Sequence, residues 1–261
     1  MERLTSVQNP KIKQLIALQQ KSSLRREKGL FVVEGRRELQ HCIEAGFKVD
    51  TIFFCPDAGT ATLPEITEGC KIFEVSSEVY EKIAYREGTE GIMAEVECRT
   101  KGLSDLEIGK NPLVMVLESV EKPGNLGAVL RSADASGVDA VIICDPLTDL
   151  FNPNLIRASI GAVFTVPTVC CKSEEAIEWL KANKIRIFTA QLQDSRLYYD
   201  TDFRQGSAII MGTESSGLTN IWREAADSHI RIPMLGRLDS LNVSVSAAIL
   251  LFEAVKQRNN G

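Results

Sequence analysis

The sequence predicts an α/β protein built on a mostly parallel sheet, with a smaller α/β unit ahead of it. Short, near-continuous apolar runs recur at Leu113–Leu117, Ala140–Cys144, Ile185–Thr189, Ala208–Met211 and His229–Ile232, as strands covered on both faces require. Helical stretches alternate with them, notably Leu126–Ser136 closed by Gly137, and Glu174–Ala182. Before residue 99 the runs are shorter. The polar stretch 99–112, broken by Gly and Pro, marks a linker between residues 1–98 and 113–261.

Residues 5–22 show helical spacing through Val7, Ile12, Leu15, Ile16 and Leu18. Lys21–Gly29 reads as a basic turn and Leu30–Glu34 as a strand. An amphipathic helix over Gly35–Ala45 stops at Gly46. Val49–Cys55, Ile72–Val75 and Gly91–Val96 read as strands, with a helix over Ser76–Ala84. A strongly apolar helix, Val243–Val255, follows the last strand.

Composition narrows the function classes. Of 261 residues, 44% are hydrophobic, enough for a core, yet no run approaches the about 18 residues of a membrane span. With no signal-peptide pattern at Met1–Pro10, the chain reads as soluble and cytoplasmic. Seven scattered cysteines without a CxxC pair argue against a disulfide framework, and two distant histidines, His41 and His229, against a zinc site. The net charge is −5, but residues 1–40 carry nine Lys/Arg against four acids. That patch, with Lys21, Arg25, Arg26, Lys28, Arg36 and Arg37, suits nucleic acid as well as it suits a solvated helix face.

Polar residues gather where predicted strands end, the edge at which open α/β sheets bind ligands. Glu118-Ser-Val-Glu-Lys-Pro-Gly-Asn-Leu-Gly127 leads into a helix holding Arg131, which lies off the apolar stripe; Asn125 also suits a helix cap. Met211-Gly-Thr-Glu-Ser-Ser-Gly-Leu218 sets two glycines around Glu214, which also suits a helix N-terminus. Ser240 and Asn242 stand before the last helix, where packing asks for no such residues. Neither G-x-x-x-x-G-K-[ST] nor G-x-G-x-x-G after the Leu113 strand occurs, which disfavours a P-loop enzyme and a Rossmann-type oxidoreductase.

Pro123-Gly-Asn-Leu-Gly-Ala-Val-Leu-Arg131, Met211–Leu218 and Ile232-Pro-Met with Ser240-Leu-Asn-Val-Ser-Val245 resemble, in order and spacing, the three motifs of the SpoU (TrmH) RNA 2′-O-ribose methyltransferases of the SPOUT class. The amino-terminal part, through Phe31-Val-Val-Glu-Gly35, resembles that family's substrate-binding domain and small ribosomal-protein-like RNA binders. The resemblance implies a deep trefoil knot in the carboxy-terminal domain and a homodimer whose site draws on both subunits. It implies S-adenosylmethionine bound near Thr189, Ala190, Gln191, Gly212, Ile232, Met234 and Leu241, with no metal. It implies that Arg131 acts on the target ribose, with Asn125, Glu214, Ser240 and Asn242 around it. Since a guanidinium keeps its proton to above pH ~12, a phosphate clamp that stabilises the alkoxide is the safer role for Arg131 than a base. Ribosomal RNA, 23S in particular, is the expected substrate because of the extra domain. Transfer RNA is the alternative, and a non-catalytic RNA-binding or ribosome-assembly protein of the same fold is another.

Overall fold

A computed structural model of the chain describes residues 1–58, 63–64, 69–85, 90–213 and 216–259. In chain order the amino-terminal elements are β1 (Glu2–Leu4), α1 (Pro10–Gln20), α2 (Ser22–Lys28), β2 (Leu30–Glu34), α3 (Arg36–Glu44), β3 (Val49–Phe54), β4 (Lys71–Val75), α4 (Ser77–Ile83) and β5 (Ile92–Glu97). There follow β6 (Leu113–Glu118), α5 (Pro123–Ser136), β7 (Ala140–Cys144), α6 (Pro153–Ser159), α7 (Ala162–Thr165), β8 (Thr168–Cys171), α8 (Ser173–Ala182) and β9 (Arg186–Ala190). The last are β10 (Arg196–Leu197), β11 (Ser207–Met211), α9 (Asn220–Ala225), β12 (Ser228–Arg231) and α10 (Val243–Asn259).

The chain divides into two compact units, residues 1–99 with 149–165, and residues 100–148 with 166–261. In the first, a five-stranded sheet runs β1-β4-β3-β5-β2, with β5 antiparallel to both neighbours. Helix α1 lays Ile12, Leu15 and Leu18 into its core. It begins later than the spacing predicts, because Asn9 accepts from the Lys11 amide and Pro10 occupies the first helical turn. Lys21–Gly29, predicted as a turn, is a helix. Gly29, at φ 63°, ends it in the left-handed conformation that glycine adopts without strain.

Residues 149–165 join this unit for a packing reason. Phe151 stacks on Phe31 with ring centroids 4.3 Å apart, Phe164 packs on Phe31 and Phe47, and Asp149 pairs with Arg25. Two helices in this segment, α6 and α7, had no counterpart in the sequence pattern.

The second unit holds a seven-stranded sheet, β10-β12-β9-β11-β6-β7-β8, parallel throughout. Strands β6, β7 and β11 are buried along their whole length, which is why they read as unbroken apolar runs. The edge strands β8 and β10 and the helix α9 are short and half-polar and left no such signal. Residues 100–112 pack on this unit, with Leu106 in its core beside Leu103 and Ile108. Helix α10 lies along α5 and reaches β11. No helix among the described residues is long and apolar enough to cross a membrane.

Candidate active site

At the centre of the parallel sheet β6 leads outward to β7 and β8, whereas β11, β9 and β12 continue on its other side. The carboxyl ends of strands at such a reversal form a ligand crevice. Here the segments after β9, β11 and β12 enclose a cavity of about 460 Å³, within the usual range for small-molecule sites. Ala190, Gln191, Gly212, Ile232, Met234 and Leu241 line it, and so does Ser240. Thr189, expected with them from the sequence, does not. It is fully buried in β9, and its hydroxyl is hydrogen-bonded to His229 Nδ1 at 2.6 Å.

The wall mixes apolar side chains, among them Met211, Ile230 and Leu250, with exposed backbone and a few polar groups. Two buried polar atoms on its lining residues, Gln191 Oε1 and Arg223 Nε, have no hydrogen-bond partner among the described residues. Orphaned polar atoms beside an apolar cavity call for a ligand with donors and acceptors of its own. Gly212 is required by space. A Cβ there would sit on the backbone of Gly217 and Leu218. Gly217, at φ 68°, turns the loop so that its amide donates to the Thr213 carbonyl at 3.1 Å.

A second cavity, about 180 Å³, adjoins the first, and both are bordered by Gly212, Thr213 and Val243. Val120, Glu121, Lys122 and Asn125 complete it. Asn242, 117 residues further along the chain, donates its side-chain amide to Asn125 Oδ1 at 3.1 Å. Asn242 Oδ1 meanwhile accepts from the backbone and hydroxyl of Ser244, at 3.0 and 2.6 Å, capping α10. Asn125 is not the residue ahead of its helix. That helix begins at Pro123, and the Asn125 side chain faces the cavity and Asn242.

Behind the site a buried network fixes the loop that leaves Leu218. The Glu118 carboxylate, 3% exposed at the end of β6, accepts from the Thr219 amide at 2.8 Å and its hydroxyl at 2.6 Å. Ser173 donates to Asp145 at 2.7 Å and accepts from the indole of Trp222 at 3.1 Å. The Ser173 hydroxyl, and then Lys172, hold the Asp145 carboxyl below its usual range. Sequence reasoning missed this support, because Glu118, Ser173 and Trp222 carry no motif.

Of the residues expected to act, Asn125, Ser240 and Asn242 meet here. Arg131 is exposed on α5, lines neither cavity and has no ion pair among the described residues. Glu214 lies outside the described residues. Arg223 and Arg231 line the larger cavity and were not anticipated.

The basic patch needs one correction. Lys21, Arg26, Lys28, Arg36 and Arg37 are exposed, but Arg25 is only 3% exposed. Its guanidinium pairs with Asp149 at 2.7 Å and donates to the carbonyls of Leu18 and Gln19. Buried, and with Nε and Nη1 engaged, it is a structural cation rather than a phosphate ligand.

The family model described as SpoU rRNA Methylase family matches residues 112–252, the stretch that carries both cavities. The chain belongs to the SpoU rRNA methylase family. A second model, the MRM3-like substrate binding domain, matches residues 9–94 of this SpoU methylase. The 23S rRNA (guanosine(2553)-2′-O)-methyltransferase RlmP of Bacillus subtilis (strain 168) is 27% identical, over 97% of this chain and 98% of its own. A solved RNA 2′-O ribose methyltransferase is 36% identical, with a TM-score of 0.84 over 98% of this chain and 99% of that one. An AdoMet-bound rRNA methyltransferase from Sinorhizobium meliloti is 29% identical, with a TM-score of 0.88 over 98% and 97%.

Proposed function

We propose that this SpoU methylase transfers a methyl group from S-adenosylmethionine to a ribose 2′-hydroxyl of 23S ribosomal RNA. The observation that carries the reading is the Asn242–Asn125 hydrogen bond at the junction of two adjoining cavities, one sized for a nucleoside-like donor and one for an acceptor. The orphaned Gln191 and Arg223 atoms, the glycine-lined approach at Gly212 and the apolar wall suit a ligand with a base, a ribose and a charged tail. S-adenosylmethionine supplies, when bound, a sulfonium methyl already activated for transfer.

What remains for the protein is the acceptor. The hydroxyl must be held in line, about 3 Å from the methyl carbon, and its proton must leave as the new bond forms. Asn125 and Asn242, locked together, fix the rim at which the ribose stands. Ser240 orders the loop beside it. Arg131 clamps the neighbouring phosphate and stabilises the developing alkoxide, and a phosphate oxygen receives the proton. Because Arg131 stands outside both cavity linings, its part of the site closes only when RNA or a second copy of the chain arrives. The deep trefoil knot belongs to the same reading, supported by the convergence of residues from 190–193, 211–213, 216–218 and 230–241 on one cavity. Glu214 remains a proposed member of the loop that joins them.

The test uses unmodified 23S rRNA transcript and methyl-labelled S-adenosylmethionine, with calorimetry for cofactor affinity. Arg131→Ala should lower methyl transfer by about 100-fold or more while cofactor affinity changes by less than a few fold. Arg131→Lys separates charge from bidentate geometry, since only the former survives in lysine. Full activity in Arg131→Ala, or no cofactor binding by the wild type, would overturn the assignment.

A further inference from the structure

The amino-terminal unit contains a cavity of its own. About 230 Å³ lies between the start of α1 and strands β3, β4 and β5. Glu95 of β5 is on its wall and only 2% exposed. Gln14 Nε2 donates to one carboxylate oxygen at 2.9 Å, and the other has no partner among the described residues. A buried carboxylate in the middle of a sheet, facing an apolar core, is costly unless something completes its hydrogen bonds. No cation does so. Lys71 pairs with Asp50 at 3.4 Å, and Lys11 pairs with Glu2 at 3.3 Å and stands over the Phe73 ring. Both lysines are exposed at the rim. Phe53 and Phe73, on neighbouring strands, supply an aromatic wall.

We propose that this cavity receives a single unstacked guanine of the RNA substrate, read by Glu95. A carboxylate offers two adjacent acceptors and no donor, and among the four bases guanine alone presents two adjacent donors, N1–H and the 2-amino group. Aromatic contact with the base, a Watson–Crick-edge reader and cations for phosphate at the rim are what proteins use on single-stranded RNA, and here Phe53 and Phe73, 1% and 9% exposed, give the cavity its aromatic wall. Asp50 also stands on the wall, paired with Lys71, and the two lysines at the mouth with the aromatic wall suit a nucleotide. The inference rests on the RNA reading above but concerns a different unit of the chain, and it needs neither cofactor nor turnover.

The experiment measures fluorescence anisotropy of labelled UUGUU, UUAUU and UUUUU with the full chain at pH 8, where the Glu95 carboxyl is ionised, without S-adenosylmethionine, and with GMP alongside. The wild type should prefer UUGUU by roughly tenfold, the scale of one bidentate base contact. Glu95→Gln keeps the shape but replaces one acceptor by a donor, so the preference should shrink to within about twofold while the salt-dependent, phosphate-borne binding of all three persists. Gln14→Ala, at a half-buried position of α1, gives a second variant and should weaken the preference without abolishing it. Equal wild-type affinities, or an unchanged preference in Glu95→Gln, would overturn the proposal and leave the methyltransferase reading untouched. Binding of none of the three would count against the RNA reading as well. Tighter binding of GMP than of UUGUU would assign the cavity to a free nucleotide and overturn its role in RNA.

Discussion

At the scale of single residues, Glu95 shows how a buried group is at once a liability and a tool. Burial pushes its carboxyl up to about 7, against a smaller opposing effect of the Gln14 hydrogen bond. In the unfolded chain it titrates near 4.3. Between these values the folded state holds a proton that the unfolded state has released. Stability therefore falls as pH rises through that window and stays lower above it, by on the order of 3 kcal/mol for this group alone. Glu95→Gln should raise the melting temperature by several degrees at pH 8 and change it little at pH 4.5. The same shift at both pH values would mean that the carboxylate is not ionised at a cost. Asn242 is the complementary case, since one side chain both caps α10 and reaches Asn125, so its position follows from backbone demands as much as from chemistry.

At the scale of elements, α2 divides its basic residues between two tasks. Lys21, Arg26 and Lys28 face outward, whereas Arg25 turns inward to Asp149 and the α1 carbonyls. Removing one member of a buried pair leaves the other uncompensated, at about 3–5 kcal/mol. Arg25→Ala should thus lower stability in denaturant melts without altering the slope of RNA affinity against salt. Arg26→Ala with Lys28→Ala should do the reverse, flattening that slope by roughly 0.7 for each phosphate no longer neutralised while leaving the melts nearly unchanged. An unchanged slope in the double variant would move the RNA surface away from α2. Summed charge along residues 1–40 does not distinguish these residues. Only the direction each side chain takes from the helix does.

At the scale of the whole molecule, the carboxy-terminal unit presents apolar side chains that no described residue covers. Leu235 and Leu238 are 96% and 79% exposed in the loop before α10, and Val245 and Phe252 are each 47% exposed, two turns apart on one side of that helix. Large apolar side chains left exposed on a loop and on one side of a helix are what an interaction face carries. We propose that it is the homodimer face, and that the dimer brings Arg131 to a completed site. Light scattering after size exclusion should give about twice the 28.8 kDa chain mass for the wild type and a single mass for Phe252→Asp. A monomeric wild type with full activity would sink both ideas.

The α/β class and the central strands were legible in the amino-acid sequence, as were three polar loops that border the two cavities. Strands buried on both faces have to be apolar throughout, so β6, β7 and β11 announce themselves, and the three polar motifs stand at strand ends where ligands bind. Short edge elements such as β10 and α9 escaped, because a few half-exposed residues carry no periodicity. Tertiary structure decided what depends on neighbours distant along the chain. It sealed Arg25 with Asp149, carried residues 149–165 onto the amino-terminal unit, joined Asn242 to Asn125, and left Glu95 without a full set of partners beside a cavity. Burial and hydrogen-bond completion are properties of the folded surroundings, and no local pattern of residue types encodes them.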